Sequence, residues 1–250
     1  MIKNIIGICL LCLTVNFTQA QESEAREGNF FGIGVSYGLV RPIGDLGNRF
    51  GTNFQASLSL DWFKEKLNGS FGIEGYILFG DSVKEDVLAN LRLENGAILG
   101  IDGRYADVFL RMRGNYLGAY IRKNIIPLKS NRRAGLALSA GVGLLQHNIR
   151  VQVDTNNAPN LGGVYEEGYD RHTVGPALKQ GISYTHVGKS SGVNFAVSFE
   201  ITEGFTKNQR ALNFDTLERD DDSNLDIIMG LNFKWFIPLK DQRPPEEIFY

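Results

Sequence analysis

The chain has 250 residues, of which 43% are apolar, and a formal net charge of −2. Those values exclude an intrinsically disordered chain and a protein that binds polyanions through bulk positive charge. Glycine supplies 29 residues, well above its usual share of about 7%, and because glycine weakens helices a helical bundle is excluded too.

In chain order, the first element is a secretory signal over residues 1–20. Lys3 gives the positive start, Ile5–Val15 the apolar core, and Thr18-Gln19-Ala20 the small residues before a cleavage point. The core is too short for a membrane helix. Cys9 and Cys12, the chain's two cysteines, leave with this segment. The mature chain is thus expected to use no disulfide, thiolate nucleophile or Cys-ligated metal. Residues 21–28 are expected to form a short periplasmic lead-in.

Period-two alternation dominates the rest. Phe31, Ile33, Val35, Tyr37 and Leu39 interleave with Gly32, Gly34, Ser36 and Gly38, and the same pattern recurs down the chain. Strands are predicted near 29–40, 52–63, 70–80, 106–122, 134–151, 173–187, 193–203 and 224–238, each with one apolar and one polar or small face. Short turns are predicted near 64–69, 123–133 and 188–192. Longer loops fall near 41–51, 81–105, 152–172 and 204–223, with a short helix expected around Val83–Leu91. Ile126-Pro127-Leu128-Lys129 recurs as Ile237-Pro238-Leu239-Lys240. Proline cannot donate to a strand ladder, so both copies are expected to stop their strands.

Long strands with one greasy face and alternating short and long connections predict an all-β fold, an eight-stranded antiparallel transmembrane β-barrel over residues 29–240. Its turns would be periplasmic and its longer loops extracellular, with a periplasmic tail over 241–250. Trp62, Phe63, Phe71, Phe79, Trp235 and Phe236 are expected to form the interfacial aromatic girdles. Eight strands leave a lumen that side chains fill. The expected interior charges are Asp61, Glu74, Arg111, Arg113, Lys179, Glu200, Asp226 and Lys234, with Glu74 paired to Arg111 or Arg113 as a plug.

With its signal, eight alternating strands and loop asymmetry, and with Glu167-Gly168-Tyr169-Asp170-Arg171 and Asn213-Phe214-Asp215, the chain from Phe30 to Lys240 resembles the small outer-membrane β-barrel proteins of Bacteroidota. That family is similar in fold to OmpA-like membrane domains. The resemblance implies a structural or interaction protein of a bacterial outer membrane, held in outer-membrane lipid, without enzymatic activity. It leaves open a narrow channel, an accessory component of an outer-membrane secretion apparatus, or a lipid-modifying barrel enzyme.

The histidines are His147, His172 and His186, and none has a following serine at the spacing of lipid A deacylase barrels. Asp170, His172 and Thr173 make the nearest constellation for acid–base work. The acidic run Glu218–Asp222 lacks calcium-loop spacing. Gly32-x-Gly34 precedes no helix, so it is no nucleotide loop. No catalytic residue, metal or cofactor is expected, and the absence of a basic, aromatic-interleaved patch argues against nucleic acid. The tail, with Pro244-Pro245 and a terminal Ile248-Phe249-Tyr250, is the candidate segment for a periplasmic or outer-membrane protein partner.

Overall fold

A computed structural model describes residues 29–241 apart from 129–130, 154–157, 162, 188–193 and 221. The signal, the lead-in, the 188–192 turn and the tail beyond Asp241 lie outside the described residues. Eight strands form one closed antiparallel sheet: β1 (Phe30–Ile43), β2 (Asn53–Lys64), β3 (Gly69–Gly80), β4 (Val108–Leu128), β5 (Asn131–Val153), β6 (Thr173–His186), β7 (Phe195–Asn208) and β8 (Ser223–Asp241). Each strand pairs with its chain neighbour, and β8 closes on β1, with Ile33 opposite Ile237 and Leu39 opposite Leu231.

Alternation decides which residues face out. On β1, Phe31, Val35, Tyr37 and Leu39 are exposed, while Ser36 and Val40 point in and are buried. The same outward face carries Leu58, Leu60 and Trp62 on β2, Val142 and Leu144 on β5, and Leu231, Phe233 and Trp235 on β8. An apolar belt around a whole barrel far exceeds the few hundred Å² that a soluble surface tolerates. From Phe54 to Trp62 the belt runs about 27 Å along β2 at the usual strand rise, and strand tilt brings this toward the roughly 25 Å band of membrane barrels. The fold is a transmembrane β-barrel with short turns at the end carrying its termini and long loops at the other.

The interior inverts the rule near the long loops. Through the middle of the barrel, inward residues are mostly polar or small, with tyrosine rings among them. At the long-loop end Leu78, Met112, Leu145 and Ile149 point inward and are fully buried, whereas Arg150 on the same strands' outer face is exposed. Leu46 and Phe50 from the first loop and Val87, Leu88 and Ile98 from the second pack on these side chains. That end of the barrel is filled by a hydrophobic core.

Several expectations are corrected. The first Ile-Pro-Leu-Lys copy does sit at its strand's end, at Leu128, but pairing passes through the proline in both copies. β4 continues through Pro127 and β8 through Pro238, each beside a register shift, at Asn124/Ile126 and Pro127/Leu128 in one case and Phe31/Gly32 in the other. A bulge lets proline sit in a sheet, because the missing donor falls where the ladder is already broken. The turn expected over 123–133 therefore shrinks to the step from Leu128 to Asn131. No α-helix forms over Val83–Leu91, where Ala89–Leu91 makes a single 3₁₀ turn. The loop instead carries a small hairpin, Ile98–Leu99 with Tyr105–Ala106. The helix in the loops is α1 (Gly44–Arg49), between β1 and β2.

Inner-face glycines make room for flat tyrosine rings. Tyr76 and Tyr116 stack at 4.8 Å in the lumen, and a Cβ on Gly143 would lie 2.6 Å from the Tyr116 ring and 2.5 Å from the Leu117 carbonyl. The backbone contact cannot be relieved by a rotamer change. Gly143→Ala is expected to destabilise the barrel by about 1–3 kcal/mol through overpacking, read as a lower urea midpoint for protein folded in lipid vesicles.

Candidate functional site

Three layers occupy the lumen. At the short-turn end Phe30 stacks on Phe63 at 5.3 Å and on Phe236 at 6.4 Å, all three buried, with the Arg133 guanidinium 5.2 Å over the Phe30 ring. Phe63 and Phe236 are thus not girdle residues. Each follows an outward tryptophan, and one step along a strand reverses the side. Trp62 with Phe71 at 5.6 Å, Phe79 with Phe54 and Tyr37, and the exposed Trp235 do lie on the outer wall.

Above the phenylalanines, the Lys234 ammonium bonds Asp61 at 2.9 Å, and Asp61 also accepts from Tyr120 and from Ser59 at 3.1 Å. The next layer centres on Lys179, which bonds Glu74 at 2.7 Å and Glu200 at 2.9 Å. Glu200 accepts further from Asn232 at 2.8 Å and Ser198 at 3.0 Å. Charges out of water must be matched in this way, since an unpaired one costs several kcal/mol. The space left between these two clusters is about 40 Å³, room for one or two water molecules.

Arg111 and Arg113 are corrected. Both lie on the outer wall, on either side of the inward Met112, which is 0% exposed. Glu74 accordingly takes Lys179 as its partner. Asp226 is inward but apart from the other charges: it bonds His147 Nε2 at 2.7 Å and accepts from Thr206. His147 is fully buried, edge-on to Phe50 and 2.9 Å from the Thr173 hydroxyl. Thr173, also fully buried, thus points away from Asp170, whose carboxylate binds Arg210 and the His172 amide. Asp170, His172 and Thr173 do not form a relay. In the acidic run, Asp220 accepts from Asn208 at 3.3 Å, and Asp221 lies outside the described residues.

Sequence reasoning missed the loop plate. Glu85, in the β3–β4 loop, accepts from Arg49 of α1 and from Arg171 of the β5–β6 loop, both at 2.8 Å. Arg171, held at φ +50, also reaches Asp215 of the β7–β8 loop at 2.5 Å. Arg210 bonds Asp170 at 2.5 Å and Glu167 at 3.0 Å, and the Phe214 amide donates to the Gly168 carbonyl. All four long loops are joined through these contacts. Hydrogen bonding to Asp170, against partial burial, raises the Arg210 pKa. For Arg171, burial works against the charge, but hydrogen bonds to Asp215 and Glu85 more than offset it. The only sequence signal was the loops' mixed charge, which does not specify partners.

No protein-family model matches the chain, and no curated protein matches it in sequence. Among solved structures the chain is similar to Neisserial surface protein A, at 10% identity over 84% of this chain and 99% of that one, TM-score 0.41. It is similar to Ail, the attachment invasion locus protein of Yersinia pestis, at 11% over 84% and 99%, TM-score 0.42. The N-terminal β-barrel domain of Pseudomonas aeruginosa OprF is similar at 11% over 84% and 100%, TM-score 0.35.

Replacing Lys179 by Met would leave Glu74 and Glu200 facing each other uncompensated. The variant is expected to lose about 3–5 kcal/mol of stability, and E74Q/E200Q in the same background to recover part of it, both measured by urea unfolding in vesicles. In the plate, Arg171→Ala removes charge-assisted bonds worth about 1.5–3 kcal/mol each. Hydrogen exchange should then rise at least about tenfold over 81–107 and 209–222, with the strands unchanged.

Proposed function

We propose that this protein is a closed β-barrel of a bacterial outer membrane, a structural or interaction protein whose working surface is its loop plate. The observation that carries this reading is the stacked closure of the lumen. Phenylalanines close one end, two ion-paired clusters the middle, and an apolar core under bridged loops the other. A pore needs a continuous wet path, and the cavity of about 40 Å³ between those clusters is too small to form one. A lumen without a path leaves the loops and the wall as the places where a partner or ligand acts.

The plate has the character of a contact surface. Ile101, at the tip of the small hairpin, is 76% exposed, and Leu217 is 74% exposed while held at φ +56. A leucine kept both in water and in left-handed backbone is costly on two counts. Exposed Tyr105 lies in the same loop as Ile101, and exposed Tyr165 lies in the β5–β6 loop. The buried cluster of Thr173, His147 and Asp226 is sealed from solvent, so it has no route to a substrate, which supports a non-enzymatic role. On this reading the long loops face the outside of the cell, the short turns the periplasm, and lipid of the outer membrane covers the belt.

Protein purified from the outer-membrane fraction and placed in planar bilayers is expected to show no steady single-channel conductance. A stable open level in the unmodified protein overturns the closed-lumen reading.

A further inference from the structure

The outer wall of β4 and β5 changes character where it leaves the belt. Leu117 on β4 and Leu144 on β5 belong to the belt, and then Asn115, Arg113 and Arg111 follow on β4 and Gln146, Asn148 and Arg150 on β5. The register sets Arg111 directly opposite Arg150, and Arg113 opposite Asn148. Side chains directly opposite on one face are about 5 Å apart at Cβ, and like charges there repel. Arg113 follows two residues on, about 7 Å along the strand, so three guanidinium groups share one small patch of wall.

Among the described residues none of the three makes an ion pair, and the Arg111 Nε is buried with no hydrogen-bond partner. Arg113 donates to the Met112 carbonyl at 2.7 Å. The acids that line a groove with Arg111 are Asp81, Glu85 and Asp86. Glu85 is committed to Arg49 and Arg171, and Asp86 to Arg92 at 2.6 Å. Asp81 lines the same groove without pairing to Arg111, and Glu166 interacts with Arg150 only at longer range.

The height of the patch selects its ligand. Arg113 is the register partner of Phe79, which packs with Tyr37 and Phe54 in the aromatic cluster at the long-loop edge of the belt. The arginines therefore stand at head-group level, with Ile77, Leu117 and Leu144 directly beneath on the wall. We propose that Arg111, Arg113 and Arg150 form a phosphate site for a phosphorylated membrane lipid, its acyl chains lying along the belt below. Guanidinium forks match phosphate oxygens in pairs, and a bound phosphate removes the repulsion that the register builds in. This inference rests on the membrane reading of the belt but not on the closed lumen.

The test uses the full chain folded in nanodiscs of neutral phospholipid, with folding checked by heat-modifiable gel mobility. Binding of diphosphorylated lipid A is measured against its dephosphorylated form and against competition by millimolar inorganic phosphate. The wild-type protein is expected to prefer the phosphorylated lipid. R111Q/R113Q/R150Q is expected to weaken it roughly a hundredfold, and R111Q or R150Q alone about fivefold, at the usual contribution of a basic residue near a charged surface. If the triple variant does not fold, the two single variants decide. Equal binding of the two lipids, or unchanged binding in folded variants, overturns the site. Full displacement by inorganic phosphate overturns the lipid as its ligand. Failure of the wild-type chain to enter nanodiscs overturns the membrane reading instead.

Discussion

An unpaired strand edge cannot exist in hydrocarbon, because each bare N–H or C=O there costs several kcal/mol. The pairing of β1 with β8 is thus the contact on which the rest depends. Once that seam closes, eight strands fix a lumen too narrow to hold bulk water. Every inward side chain must then find its partner within reach. Lys179 between two glutamates, Lys234 on Asp61 and tyrosine rings laid flat on glycines are answers to that single requirement. The bulges beside Pro127 and Pro238 follow from it too, since a proline in a closed sheet has to be absorbed locally rather than ending the strand.

Much of this was legible in the sequence, because period-two alternation survives wherever one side of the strand meets lipid. All eight strands appear close to their predicted places, and Asp61, Glu74, Lys179, Glu200, Asp226 and Lys234 lie on the inner wall. Arg111 and Arg113 were assigned to the wrong wall for a definite physical reason. Alternation reports which residues share a face, and the side of that face is inferred from its polarity. Along β4 the polarity swaps at about Tyr116, where the surroundings outside change from lipid to water and those inside from ion pairs to apolar core. The phase of the strand is unbroken, but the code relating polarity to side reverses. Trp62-Phe63 and Trp235-Phe236 failed in a simpler way, since adjacent aromatics cannot both face out.

The loop network was not legible because it joins residues far apart in the chain whose spacing carries no period. Glu85 meets Arg171, and Arg171 meets Asp215, only because the barrel brings their loops over one mouth. Buried His147 with Asp226 belongs to the same category, a pair made by the sheet's curvature across the lumen rather than by local sequence. The polarity swap on β4 and β5 has its own mechanical effect. Sliding the barrel toward the short-turn side would carry arginines into lipid, and sliding it the other way would lift the belt into water, so the two strands set its depth in the bilayer.

The bridged loops also bear on how another molecule would recognise this one. Four separate ribbons would each present a short linear peptide. Here Arg49, Glu85, Arg171 and Asp215 tie them into one plate with its own apolar underside. A binder that knows only one loop's sequence would meet a shape that this loop alone does not adopt. A substitution in any single loop would in turn be felt by the other three.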